Sequence, residues 1–224
     1  MCLLRACSIP YERLIYCTLK LILNPPDRRA PWVWLAAALW LVCAGVGLYF
    51  VWAYDNAPGL AAHAPQAWPS QTALVRAADR PTLVLLAHPQ CDCTRATLGE
   101  LAEVLARTPE PPKTYVLFLR PTVFNEGWEQ TGLWRTARSL PNVTVLRDDD
   151  GAEARRFGAE TSGQTLLYDE RGTLAFSGGI TGARGHAGDN AGRATLLALL
   201  SRSDADRRGS NVFGCPLFAS GNGS

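Results

Sequence analysis

Cys91 and Cys93 stand one residue apart in His88-Pro-Gln-Cys-Asp-Cys-Thr-Arg95, between an apolar run and a stretch with helical spacing. Paired thiols at the start of a helix have a definite chemical use. The free N–H groups of the first turn and the positive end of the helix dipole favour thiolate over thiol. Helix-terminal cysteines fall by up to several units from a free value of about 8.5, and each unit is worth about 1.4 kcal/mol. A thiolate attacks disulfides, and a second thiol resolves the mixed disulfide that results. In this pair Cys91 would attack and Cys93 would resolve, with Arg95 adding to the stabilisation of charge. A disulfide between residues i and i+2 closes a small, strained ring, which places its potential toward the oxidising or isomerising end. Cys215 lies in Val212-Phe-Gly-Cys-Pro-Leu-Phe218, an apolar patch in an otherwise polar tail. It is either a small thiol buried by a docked tail or a third redox thiol that trades disulfides with Cys91 or Cys93.

Other chemistries compete for the same residues. Soft thiolates suit Cu(I), so Cys91, Cys93 and His186 form the alternative of a Sco-like copper metallochaperone, with His88 as a further candidate ligand. Two buried structural thiols are the plainest alternative, and His88 alone reads as the end of a strand. Arg184 and Asp189, flanking His186, read as a structural pair. Asp148-Asp-Asp150 lacks the spaced ligands of a calcium loop and reads as a solvated turn capping the next helix. Trp128 and Trp134 read as core or groove lining. The chain has 224 residues, 47% of them apolar and 19% charged, and a net charge of +2. That content fills a core, and the charge makes no footprint for nucleic acid. G-x-x-x-x-G-K-[ST] and G-x-G-x-x-G strings are absent, which excludes the familiar nucleotide-binding loops.

The elements that would position the thiols follow from periodicity. Pro81–Pro89 brackets a buried strand, and Leu98, Leu101, Ala102 and Leu105 mark a helix capped by Thr94 or Asp92. Thr114–Leu119 is a second buried strand, parallel to the first across a right-handed βαβ crossover. Trp128–Leu140 reads as a helix, Val143–Arg147 as a strand and Asp150–Phe157 as a helix closed by Gly158. Gln164–Tyr168 and Leu174–Ser177 form an antiparallel hairpin, and Thr195–Arg202 a last helix. The expected fold is an α/β/α three-layer sandwich with one mixed sheet.

Pro31 to Tyr54 carries no charge over 24 residues. As a helix it reaches roughly 36 Å, against about 30 Å of hydrocarbon, with Trp and Tyr at both ends. Arg28 and Arg29 precede it, after Arg5, Arg13 and Lys20, and no basic residue follows until Arg76. The positive-inside rule puts 1–30 in the cytoplasm and the C-terminal part in the periplasm or its equivalent. An uncleaved anchor is favoured over a signal peptide cut near Ala62-His-Ala64, since the apolar run exceeds a usual signal core and Pro65 would follow the cut. Tyr11–Leu23 is apolar but too short to span. Four cysteines fall at or before the span (Cys2, Cys7, Cys17, Cys43), leaving three outside, where disulfides persist. The expected organisation is 1–30 cytoplasmic, 31–54 transmembrane, 55–74 linker, 75–205 domain and 206–224 tail.

The motif, set between strand and helix and followed by β, α, β-hairpin and α, resembles the thioredoxin superfamily over about residues 75–220. More narrowly it resembles the membrane-anchored TlpA/ResA-type and RedB-type proteins. Phe157-Gly-Ala and Leu166-Leu-Tyr-Asp-Glu-Arg-Gly172 match the family's stretch before its hairpin. Ser177-Gly-Gly-Ile-Thr-Gly-Ala-Arg-Gly-His186 and Phe213-Gly-Cys-Pro216 resemble the RedB-type in particular. The resemblance implies a thioredoxin-like fold and thiol–disulfide exchange on protein substrates without a bound cofactor. Apocytochromes or metal-site assembly proteins are the implied membrane-proximal partners. Two departures stand out. The family has Cys-x-x-Cys where this chain has Cys-x-Cys, and a cis-proline where this chain has Gly163. A non-proline cis bond costs about 3 kcal/mol, so a trans bond in a reshaped loop is expected there.

Overall fold

The computed structural model describes residues 31–203 and 208–218. The cytoplasmic-side expectations (Cys2, Cys7, Cys17, the basic flank and Tyr11–Leu23) lie outside the described residues. Helix α1 (Pro31–Asn56) has 26 residues, none of them buried, and is long and apolar enough to cross a membrane. It runs two residues past the expected end. The chain divides into two compact units at residues 50 and 51, and the remaining elements belong to the second.

That unit is built on β1 (Thr82–Ala87), α2 (Asp92–Arg107), β2 (Lys113–Arg120), α3 (Gly132–Ser139), β3 (Val143–Asp149), α4 (Ala152–Arg156), β4 (Gln164–Tyr168), β5 (Leu174–Gly178) and α5 (Ala191–Leu200). The five strands form one mixed sheet in the order β3-β2-β1-β4-β5. β1, β2 and β3 are parallel, and the β4–β5 hairpin joins antiparallel to β1. Central β1 is buried along its whole length, which is why it reads as a continuous apolar run rather than an alternation.

Alternate residues still serve different layers. Leu83, Leu85, Val116, Phe118 and Phe176 pack under α2, α3 and α5, against Leu98, Leu101, Leu133 and Leu196. Val84, Leu86, Leu117, Leu166 and Tyr168 face the other way, toward Ala154, Phe157 and Leu217. Each buried large side chain contributes about 1.5–3 kcal/mol.

The second face is covered by only one short helix. Residues from 57 to 76, most of them within the expected linker at 55–74, lie along it. Trp68 sits edge-on to both Phe157 and Tyr168, at 5.3 and 5.2 Å between ring centroids. Its N–H donates to the Gly172 carbonyl at 2.8 Å, and the Leu174 N–H donates to Gln66. The Pro- and Ala-rich composition suggested a tether because periodicity is blind to a segment without regular structure.

Helix starts differ from expectation, α4 among them, which begins at Ala152 rather than Asp150. α2 begins at Cys91 as N-cap, with no side-chain cap bond, so neither Thr94 nor Asp92 caps it. α3 begins four residues after Trp128, because Gly127 turns the chain at positive φ and Thr131 is extended. α5 begins at Ala191, capped by the Asn190 side chain, which accepts from the Arg193 N–H at 2.8 Å.

Candidate functional site

The site forms where β1 ends and α2 begins. His88 leaves the strand half-buried, and its N–H donates to the Ser162 hydroxyl at 2.8 Å. The Thr94 and Ser162 hydroxyls meet at 3.0 Å, and Thr94 also donates to the His88 carbonyl. These bonds pin the 161–163 loop against the first turn of α2. They hold Cys91 in place, 1% exposed, as the N-cap.

Gly163 takes φ +90 with its N–H donating to the Leu86 carbonyl at 2.7 Å. Among the described residues all peptide bonds are trans, as expected for this loop. A side chain at 163 would be strained in that backbone and would press on Thr97.

The C-terminal segment lies against the same loop. Ser162 N–H donates to the Cys215 carbonyl and Leu217 N–H to the Glu160 carbonyl, each at 2.8 Å, with an antiparallel bridge between Thr161 and Pro216. Gly214 packs so tightly that a Cβ there would run into the Ser162 carbonyl oxygen. This seat brings Cys215 onto Cys91, with the Cys215 N–H 3.4 Å from the Cys91 sulfur. Cys91, Cys93 and Cys215 are all free thiols.

Electrostatics separates the three. Burial alone opposes ionisation of Cys91. Hydrogen bonds from the Cys215 thiol and from the N–H groups of Cys215, Thr94 and Cys93 outweigh it and bring the pKa below the ordinary thiol value. Cys93 moves the other way, first through burial and then through the neighbouring Cys91 charge. Cys215 is pushed up to about 12, again by burial first and then by its bond to Cys91 and the Cys91 charge. One thiol is favoured as anion at the expense of two.

The cation facing the thiols is not Arg95, which is exposed on α2. It is Arg184, whose charge favours ionisation of both Cys93 and Cys215 and whose Nη1 donates to the Gly214 carbonyl at 2.7 Å. The expected Arg184–Asp189 pair does not form. Asp189 pairs with Arg193, which also meets buried Glu100 at 2.5 Å. His186 is exposed, with Nδ1 2.8 Å from the Arg184 carbonyl. Among the described residues no group of three His, Cys, Asp or Glu stands ready to hold a metal ion, so Cys91, Cys93 and His186 do not gather as a copper site.

Asp148 is buried rather than solvated, yet it does cap α4, accepting from the Glu153 and Ala154 N–H groups at 2.8 and 2.9 Å. Trp128 meets the His88 ring edge-on at 5.7 Å and stacks on Phe124 at 4.6 Å, while Trp134 packs on Phe118. Burial also holds the His88 pKa below its ordinary value. The Ser162–Thr94 bracket and the role of Arg184 escaped the sequence reading. Ser162 adjoins the glycine at the proline position and was within reach of it, whereas Arg184 was singled out only as a partner for Asp189.

Comparison with solved structures agrees with this architecture. An uncharacterised conserved protein from Geobacillus kaustophilus superposes at TM-score 0.53 and 16% identity, over 74% of this chain and 94% of that one. The fold is thioredoxin-like. A hypothetical protein from Sinorhizobium meliloti is similar at TM-score 0.49 and 19% identity, over 74% and 96% of the two chains. A secreted disulfide oxidoreductase from Mycobacterium tuberculosis is similar at TM-score 0.37 and 17% identity, over 55% and 81%. At 16% identity the first of these likenesses speaks for the fold alone. No family model matches the sequence, and no curated protein matches it.

Proposed function

We propose that this chain is a membrane-anchored thiol–disulfide oxidoreductase acting on protein thiols outside the cytoplasm. The observation that carries the reading is the set of hydrogen bonds gathered on the Cys91 sulfur at the start of α2. The Cys91 thiolate attacks a client disulfide, and a neighbouring thiol, Cys93 or Cys215, completes the exchange. A thiolate prepared in this way needs no bound cofactor.

The anchor is α1, left uncleaved. At about 1.5 Å per residue its 26 residues reach roughly 39 Å. The arginines at 28 and 29 keep its N-terminal side in the cytoplasm and the domain in the periplasm or an equivalent space. Kinship with the TlpA/ResA and RedB types rests on the quoted strings, Ser177–His186 and Phe213–Pro216 above all. Clients near the membrane, apocytochromes or metal-site assembly proteins, are the partners that kinship suggests.

The test is exchange with glutathione disulfide by the full chain in detergent. Cys91→Ser is expected to abolish mixed-disulfide formation, and Cys93→Ser and Cys215→Ser to leave the first attack intact. Unchanged exchange in Cys91→Ser refutes the assignment.

A further inference from the structure

An attacking cysteine that is 1% exposed as a residue cannot meet a protein disulfide unless something moves. Part of the cover over Cys91 is the segment 212–217, which we term the strap. Its own features suit it to move. Backbone bonds hold it, Gly59 N–H to Val212, Ser162 N–H to Cys215 and Leu217 N–H to Glu160, together with the Arg184 bond to the Gly214 carbonyl. Val212 and Leu217 are its buried apolar side chains, and Pro216 is exposed. It also carries a thiol onto the nucleophile, across 124 positions of sequence.

We propose that Cys215 is the resolving thiol for Cys91, delivered by a strap that lifts to admit a client and returns to release it. This rests on the exchange reading above. The Cys91 thiolate attacks one client sulfur, so a Cys91–client bond forms and the client S–S bond breaks. The released client thiolate takes a proton from water. Cys215 gives its proton to solvent and attacks the Cys91 sulfur, forming the Cys91–Cys215 disulfide and expelling the second client thiolate, which is protonated in turn. Two electrons pass from the protein dithiol to the client disulfide.

Two features favour Cys215 over Cys93. A Cys91–Cys93 bridge closes a strained ring through one residue, whereas Cys91–Cys215 joins distant segments that backbone bonds already align. Cys215 is also held silent until needed. Burial first, and then its bond to Cys91 and the Cys91 charge, keep it protonated; the bond and the charge are gone once Cys91 is in a mixed disulfide, and lifting the strap relieves the burial.

The experiment follows the reduced full chain in detergent after mixing with excess glutathione disulfide, with acid quench, alkylation and peptide mapping. A Cys91–glutathione adduct is expected to give way to a Cys91–Cys215 link. Cys215→Ser should stall at the adduct, losing it at least about tenfold more slowly, while Cys93→Ser resolves at nearly the wild-type rate. Gly214→Val keeps all three thiols but drives a side chain into the Ser162 carbonyl, so its adduct should resolve more slowly. A Cys91–Cys93 link as the product, with Cys215→Ser resolving normally, overturns the proposal alone. Absence of any adduct at Cys91 overturns the exchange reading beneath it.

Discussion

Two extended segments lie across this domain, and they are held by different forces. Residues 57–76 cover the sheet face that α4 leaves bare. Trp68 fits between Phe157 and Tyr168, Leu74 is buried, and the Glu153 carboxylate takes the Thr72 hydroxyl and the Ala73 N–H. Residues 212–217 cover a thiol, through backbone bonds, the Arg184 bond to the Gly214 carbonyl and a close glycine contact, with Val212 and Leu217 buried. Burial of a large aromatic ring is hard to undo, whereas a backbone hydrogen bond exchanged for one to water is lost at small net cost. The first segment therefore reads as a wall and the second as a door.

Substitutions break or sharpen that contrast. Trp68→Ala is expected to cost about 3 kcal/mol in urea unfolding while leaving the Cys91 titration unmoved. A comparable change in Cys91 ionisation would erase the distinction between the segments. Gly214→Val should do the reverse, raising the rate of Cys91 alkylation by about tenfold or more, measured at a pH where the thiol is fully ionised, with under about 1.5 kcal/mol of lost stability. Cys215→Ala removes a thiol that donates to Cys91, so the Cys91 pKa should rise, read as thiolate absorbance against pH. The sign follows from the bond: losing a donor to the anion destabilises the anion. Ser162→Ala leaves the His88 N–H without its acceptor and should cost about 1 kcal/mol of stability.

Much of the framework was legible because burial writes itself into periodicity. Leu83–Ala87, Thr114–Leu119 and the 164–178 hairpin announced strands, and the βαβ order fixed which of them run parallel. Helix starts were less legible, since Cys91 caps by backbone position alone and Gly127 stops a pattern that Trp128 seemed to begin. The Cys91–Cys93 pair could be read from spacing. The seat of Cys215 could not, because it depends on the Ser162 and Glu160 backbone and on the bare Cα of Gly214, none of which leaves a mark in side-chain pattern. Arg184 was visible but mispaired, because its partner is a main-chain carbonyl thirty residues away.

The central claim is that backbone geometry and one neighbouring thiol make Cys91 the anion of the three. Thiolate absorbance of the full chain in detergent, followed against pH in the wild type and in Cys91→Ser, tests it directly. A transition below the ordinary thiol range that disappears in Cys91→Ser is the expected result. A Cys91 transition at or above that range, with Cys93 or Cys215 ionising first, contradicts the account.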